Sequence, residues 1–375
     1  MNTASKPDVV ILSSVHSALD VRIFYKQARS LADAGYKVTL IARHDKNEIK
    51  DKVNIIGLSM PKNRFQRMIA QTFRAFRLAL NQNAVVYHFH DPELIPIGLI
   101  LKFLGKKVIY DVHEDYQASI YTKDWLPSLI RTTVSNLFDW LEKKSSQKFN
   151  YIITATDHIS KRFGNIKNIV LHNYPIIENG NNEFGCQKSK GEYTIIYAGG
   201  LARIRGIREI AESIGHINDR LHVKLKLLGK FSDRDFETQI RSLAEFDKIE
   251  LSYVPYTEVF SHLLSAHVGL AMFHPVPNHI DSMPNKLFEY MSAGLPIIAS
   301  DFPLWKQIVE GNKCGITVDP MNPKAIAEAI EYLLERPELM NEMGENGRKA
   351  VLEKYSWQKE SEKLIKIYSD ILNVK

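Results

Sequence analysis

The 375 residues are enough for two domains, and 45% hydrophobic with 25% charged residues is the balance of a globular chain, not of a disordered or fibrous one. Cys186 and Cys314 have no metal or redox spacing and read as reduced thiols; Met1–Asp8 lacks the apolar core of a signal peptide, and Leu94–Leu104, interrupted by Pro96 and Lys102, is too short to span a bilayer, so a cytoplasmic protein is expected. The net charge of +6 is uneven: residues 1–175 hold 25 Lys and Arg against 15 Asp and Glu, the remainder 24 against 28, so the basic first half faces an anionic surface or acceptor, or only solvent.

Apolar runs at Val9–Ser13, Val38–Ile41, Val85–His88, Lys107–Tyr110, Tyr151–Thr154 and Ile169–Leu171 predict strands. Helical patterns at Val21–Ala34, Arg64–Leu80, Leu126–Phe149 and His158–Phe163 lie between them, the alternation of a parallel α/β sheet. Asp20 suits the N-cap of the helix from Val21. In Lys62–Leu80, Phe65, Met68, Ile69, Phe73 and Phe76 share a stripe, and Arg64, Arg67, Arg74 and Arg77 supply cations. That pattern suits an anionic bilayer surface, although a core-packed helix with a solvated face is its commoner use. His90 and Asp91 fall at a strand's carboxyl end, where ligands bind in open α/β sheets; Asp91 also suits an N-cap before Pro92. The next strand ends in Asp111, His113, Glu114 and Asp115, and the nearby His88 and His90 would permit a metal.

Glu178–Gly191 is polar and rich in Asn and Gly, the composition of an exposed linker. A second series of strands follows at Tyr193–Ala198, Lys224–Leu228, Ile249–Ser252, Val268–Ala271, Pro296–Ala299 and Gly315–Val318. After the first of these, Gly199 and Gly200 allow close backbone approach to a phosphate, and Arg203 and Arg205 add cations. The segment Ser282–Asp301 reads as loop, helix, Gly turn and buried strand, with Pro284 opening the helix and Gly294 closing it. Free N–H groups at that helix start attract phosphate. Glu289, one turn beyond Asn285, is placed to accept hydrogen bonds from ribose hydroxyls, so the local chemistry suggests a nucleoside diphosphate. The tail predicts helices at Pro323–Leu334, Pro337–Lys354 and Trp357–Leu372. In the last, Trp357, Leu364, Ile367, Tyr368 and Ile371 form one apolar stripe.

The segment Asp281–Glu289, two acids separated by seven residues, resembles the donor signature of the retaining glycosyltransferases of family 4, with Asp281 where the family usually has Glu. The resemblance covers nearly the whole chain. It implies an α/β protein of GT-B fold, two Rossmann-like parallel-sheet domains facing an interdomain cleft: residues 1–178 binding the acceptor, 192–355 binding the nucleotide-sugar, and 356–375 a helix crossing back to the first domain. It implies transfer from a nucleotide-sugar, UDP-linked, to a glycan or lipid-linked acceptor in bacterial surface polysaccharide assembly, at the inner face of the membrane, with no metal or other cofactor. His113 would lie beside the donor sugar and Asp281 would orient its hydroxyls. Arg205 would stabilise the leaving diphosphate. Glu289 would hold the ribose, with Asn285, Lys286 and Leu287 presenting backbone groups. Gly199 and Gly200 would form the phosphate turn; Gly200 stands where the family has Arg, and Arg203 compensates. Two readings keep the fold and change the activity: a nucleotide-sugar epimerase, and an inactive nucleotide-sugar-binding protein. Nucleic acid is excluded as a partner by the absence of interleaved aromatic platforms.

Overall fold

The computed structural model describes residues 7–63, 66–121, 126–177 and 191–373. The chain divides into two compact units. The first combines residues 1–173 with 357–375, and the second is 174–356. The division falls before the Glu178–Gly191 linker, most of which lies outside the described residues. Tyr174 already belongs to the second unit, its ring 5.0 Å from Phe288 and 5.3 Å from Tyr355.

The first unit holds β1 (Asp8–Ser17), β2 (Lys37–Arg43), β3 (Glu48–Lys50), β4 (Val53–Leu58), β5 (Val86–Phe89), β6 (Lys107–Val112), β7 (Tyr151–Thr154) and β8 (Asn168–Val170). Their order in the sheet is β3-β4-β2-β1-β5-β6-β7-β8, parallel throughout except for β3 against β4. Val9–Leu12 are fully buried, as expected of strands covered on both faces. The β3–β4 hairpin, absent from the expected strands, turns on Asp51 and Lys52, both with positive φ (47° and 65°). Such turns normally advertise themselves with Asn-Gly or Asp-Gly, and Asp-Lys gives no such signal. Asp20 caps the first helical segment as expected, its Oδ1 accepting from the N–H groups of Arg22 and Ile23. That segment, Val21–Ala28, is wound as a π-helix before continuing as the α-helix Arg29–Asp33.

The second unit holds β9 (Tyr193–Ala198), β10 (Val223–Leu228), β11 (Ile249–Ser252), β12 (Val268–Ala271), β13 (Ile297–Ser300) and β14 (Gly315–Val318). They form one parallel sheet in the order β11-β10-β9-β12-β13-β14. In both sheets the strand order reverses direction beside the first strand, between β1 and β5 and between β9 and β12. Crevices at the carboxyl ends of such strand pairs are where open α/β sheets bind ligands.

The last helix, Trp357–Asn373, belongs to the first unit. Its stripe of Trp357, Leu364, Ile367, Tyr368 and Ile371 is buried there. Trp357 Nε1 donates to Ser30 Oγ (2.9 Å), Tyr368 Oη bonds His88 Nδ1 (2.9 Å), and Glu360 accepts from the His172 N–H (3.0 Å).

Candidate active site

In the second unit the chain leaves β9 through Gly199, whose φ of 136° favours glycine. The Gly199 N–H donates to the Leu228 carbonyl. A Cβ on Gly229 would collide with the Gly199 carbonyl at 1.9 Å, so only glycine lets the turns after β9 and β10 meet. Arg203–Arg205 then make one 3-10 turn, closed by Gly206 at φ 64°, and the helix Ile207–Ser213 begins. Tyr197 donates to the Gly200 carbonyl (3.1 Å) and stiffens the turn from beneath.

The helix Asn285–Ala293 faces this turn through its first residues. Pro284 sits at its N-cap, one position earlier than expected, and Gly294 closes it at φ 69° as expected. Tyr290 positions the helix: its buried hydroxyl accepts from the Ala198 N–H (2.9 Å) and donates to the Leu270 carbonyl (3.2 Å). Gly269 makes room for the Tyr290 ring, which would lie 2.6 Å from a Cβ there. Trp305 Nε1 holds the preceding loop through the Ser282 carbonyl (2.7 Å).

Lys286, second in the helix, turns its side chain inward. Its Nζ lies 3.7 Å from the Tyr197 ring centre and 4.8 Å from that of Phe273. It has no hydrogen-bond partner. Burial first, then the Arg205 guanidinium, push the amine well below the ordinary lysine range, against the pull of Glu289. The Arg205 guanidinium stands 5.5 Å from the Phe273 ring centre. His279, packed on Phe273, is likewise pushed down to about 4, chiefly by burial.

In the first unit, the corresponding crevice is closed by hydrogen bonds. Asp91 lies at an N-cap position before Pro92, yet its carboxylate does not cap. It turns to the loop after β1 instead, accepting from the N–H groups of Ser14 (2.6 Å) and Val15 (3.1 Å) and the hydroxyl of Ser13 (2.9 Å). Asp111 is fully buried. Arg22 donates three bonds to its two oxygens (2.9, 3.1 and 3.3 Å), and Gln27 adds a fourth (2.6 Å). Burial alone would raise this carboxyl, but Arg22 and then His113 hold it well below the usual carboxylate range. His113 Nε2 lies 2.8 Å from His90 Nδ1 and 3.5 Å from Asp111. Its own pKa is lowered to about 4, mainly by burial, with Asp111 opposing and Arg22 adding to the shift.

Among the described residues, His88, His90 and Asp111 alone bring three possible metal-ligating atoms within 4.8 Å of one another. His88 Nε2 and His90 Nε2 have no hydrogen-bond partner, but both Asp111 oxygens are already bonded by Arg22, whose fixed positive charge beside the group opposes a cation.

Comparison with known families agrees with this geometry. The family description "Glycosyltransferase Family 4" matches residues 21–180, and "Glycosyl transferases group 1" matches residues 180–350. The chain is a family 4 glycosyltransferase. This glycosyltransferase is 27% identical over 214 residues to the capsular polysaccharide biosynthesis glycosyltransferase CapM of Staphylococcus aureus, a match spanning 56% of this chain and 54% of CapM. It is 21% identical over 290 residues to the alpha-D-kanosaminyltransferase of Streptomyces kanamyceticus, 73% of each. Among solved structures it resembles sucrose-phosphate synthase from Thermosynechococcus elongatus (TM-score 0.78, 17% identity, 99% of this chain and all of that one). HepE of Anabaena, solved with UDP-glucose, gives a TM-score of 0.73 at 11% identity, over 97% of this chain and all of HepE. The fold is GT-B.

Within this glycosyltransferase, Gly199, Gly200, Arg205 and Lys286 come together at the β9–β12 crevice. Asn285 and Glu289 stand half-buried one turn apart on the helix, and Asp281 is exposed in the loop before it. The Leu287 side chain is buried in the core. Arg203 is not part of the group. Its guanidinium donates to Gln239 (2.7 Å) and lies over Phe236, because the 3-10 turn points residues 203 and 205 differently. Tyr253 is exposed, with Lys230 Nζ 3.9 Å from its ring centre, and is therefore not a core residue. The buried Lys286 side chain, His279 and the Arg22–Asp111 pair were not singled out from sequence. Only the proximity of Lys286 to the signature acids hinted at one of them.

Proposed function

We propose that this glycosyltransferase moves a sugar from a UDP-linked donor to a glycan or lipid-linked acceptor, with retention, in polysaccharide assembly. The observation that carries the donor half is the convergence of Arg205, Lys286, the Gly199–Gly200 turn and the first turn of the Asn285–Ala293 helix at the switch between β9 and β12. Two cations, a glycine-lined backbone and a helix N-terminus are complementary to a diphosphate, although the Leu287 N–H is already bonded to the Pro284 carbonyl (3.2 Å). Glu289 would take the ribose hydroxyls and Asp281 those of the sugar. HepE, whose fold this chain shares, was solved with UDP-glucose, which supports UDP as the carrier. CapM supports a polysaccharide product.

In this reading the C1–oxygen bond to the diphosphate breaks and the acceptor oxygen bonds C1 on the same face. The acceptor proton passes to a leaving phosphate oxygen. Arg205 stabilises the charge that grows there, an interaction stronger in the transition state than before it. His113, uncharged at neutral pH, serves as a hydrogen-bonding group and not as a cation. No metal is needed, since side chains and helix neutralise the diphosphate. A thermal-shift screen of UDP-, GDP- and ADP-sugars tests the donor reading. At 100 times its dissociation constant the right donor stabilises by about 2.7 kcal/mol, and no shift with any of them overturns the reading.

The first unit is proposed to meet an anionic membrane, where lipid-linked acceptors reside. Met68, Ile69 and Phe73 are exposed beside Arg74 and Arg77, whereas Phe76 of the same stripe packs against the core; Arg64 and Phe65 lie outside the described residues. Phe103 and Leu129 are also exposed, at 91% and 93%. No helix of the described residues is long and apolar enough to cross a bilayer. The protein should sediment with vesicles rich in acidic lipid at low salt and release as salt screens the attraction. Failure to sediment at low salt removes this part of the proposal.

A further inference from the structure

Lys286 is the most unusual charged group of the second unit. Its side chain is 6% exposed, its Nζ lacks any hydrogen-bond acceptor, and aromatic faces of Tyr197 and Phe273 line its path. Burying an unpartnered ammonium opposes folding. Cation–π contact offsets only part of that opposition. The fold gains no hydrogen bond from the group, so its placement needs another account.

Its direction supplies one. A Cβ built on Gly199 would lie 3.2 Å from Lys286 Nζ and 3.6 Å from Arg205 Nη1, and one on Gly200 would lie 3.6 Å from the same Arg205 nitrogen. The space over the two glycines is thus bounded by two cations from different elements, one following β9 and one from the Asn285–Ala293 helix. The turn itself brings only Arg205, since Gly200 has no side chain and Arg203 is engaged with Gln239. Two like charges held this close disfavour each other until an anion enters. Resting on the donor reading above, we propose that the Lys286 side chain is the second cation of the diphosphate site, delivered from the helix to the glycine turn.

The charge balance has a consequence. The groups facing Lys286 are Arg205 from the 3-10 turn, Tyr197 from β9, His279 from the loop after β12 and Glu289 on its own helix. In the ligand-free site, burial and Arg205 favour the neutral amine. A diphosphate reverses that preference, so donor binding is accompanied by proton uptake on Lys286.

Calorimetric titration of UDP and of inorganic pyrophosphate at pH 8, in two buffers of different ionisation enthalpy, reads this uptake directly. The unmodified protein should bind UDP with net proton uptake. Lys286→Met should lose at least about tenfold in affinity for both probes and take up no proton at that site. Lys286→Arg should keep part of the affinity without proton uptake, because its guanidinium is already charged. The ligand-free Lys286→Met protein should melt no lower than the original, since an unpartnered buried amine is replaced by an apolar side chain of similar length. A clearly lower melting temperature, or unchanged UDP affinity and proton uptake, overturns the proposal while leaving the donor reading intact. If the unmodified protein binds none of UDP, GDP and ADP, the donor reading fails, and this proposal with it.

Discussion

The two crevices of this glycosyltransferase occupy the same topological position in their sheets and are built in opposite ways. In the first unit the charges are already matched: Asp111 by Arg22 and Gln27, Asp91 by the loop after β1. In the second, Lys286 has no partner and points with Arg205 at a glycine turn. A matched polar network holds a loop and a histidine in place, whereas an unmatched cation stores an affinity for something not yet there. The contrast is between a titratable pair satisfied inside the fold and a buried amine that the fold leaves without a partner.

Substitutions can break that contrast. Asp111→Ala strands Arg22 in the interior and should cost about 3–5 kcal/mol of stability, read by urea unfolding. If Lys286→Met cost as much, the two crevices would not differ in kind. Glu289→Ala should spare stability and weaken nucleoside diphosphate binding, with two charge-assisted hydrogen bonds of about 1.5–3 kcal/mol each at risk; calorimetry decides, and unchanged affinity in a folded variant removes Glu289 from the site. Arg205→Ala should lower turnover about 100-fold and binding much less, with Arg205→Lys recovering part of the rate. Intact turnover would leave Lys286 as the sufficient cation.

Acid should act more gently, and on both crevices. His113 and His279 are each pushed from 6.5 to about 4. The unfolded chain therefore binds more protons than the folded one between those values. Stability present above pH 6.5 should decline as pH falls toward 4. His113→Asn or His279→Asn should each flatten part of that decline in pH-dependent unfolding curves, and a saturating diphosphate should protect against the share due to His279 alone. The smallest effect expected is for Trp357→Phe, which loses one hydrogen bond to Ser30 while keeping its packing: about 1 kcal/mol, from thermal unfolding.

The sequence carried the second unit well. Four of its six strands are largely apolar runs, β10 and β11 interleave apolar with polar residues, and Gly294 marks a left-handed cap that leaves few alternatives. The helix Asn285–Ala293 begins within a residue of where Pro284 led it to be expected. Other features depend on register between distant segments. Arg22 meets Asp111 across 89 positions, and nothing local to either predicts the partner. The Lys286 amine reaches Gly199 only because Tyr290 seats its helix against the end of β9. Arg203 and Arg205 are interchangeable by composition and diverge because two steps along a 3-10 turn rotate a side chain by about two thirds of a circle.

The Trp357–Asn373 helix gives the molecule a particular order of assembly. Since residues 174–356 stand between it and the rest of its unit, the second unit is an insertion within the first. The rings of Tyr174 and Tyr355, 5.3 Å apart, clasp the entry and exit of that insertion, so its ends close on themselves. During synthesis the inserted unit can complete its own core while the first still lacks its final helix. The bonds His88–Tyr368 and His172–Glu360 form only after the chain's end has emerged. The histidine crevice is therefore finished only after residue 368 has emerged, and a chain cut between Ser356 and Tyr368 would carry a complete second unit beside an unfinished first.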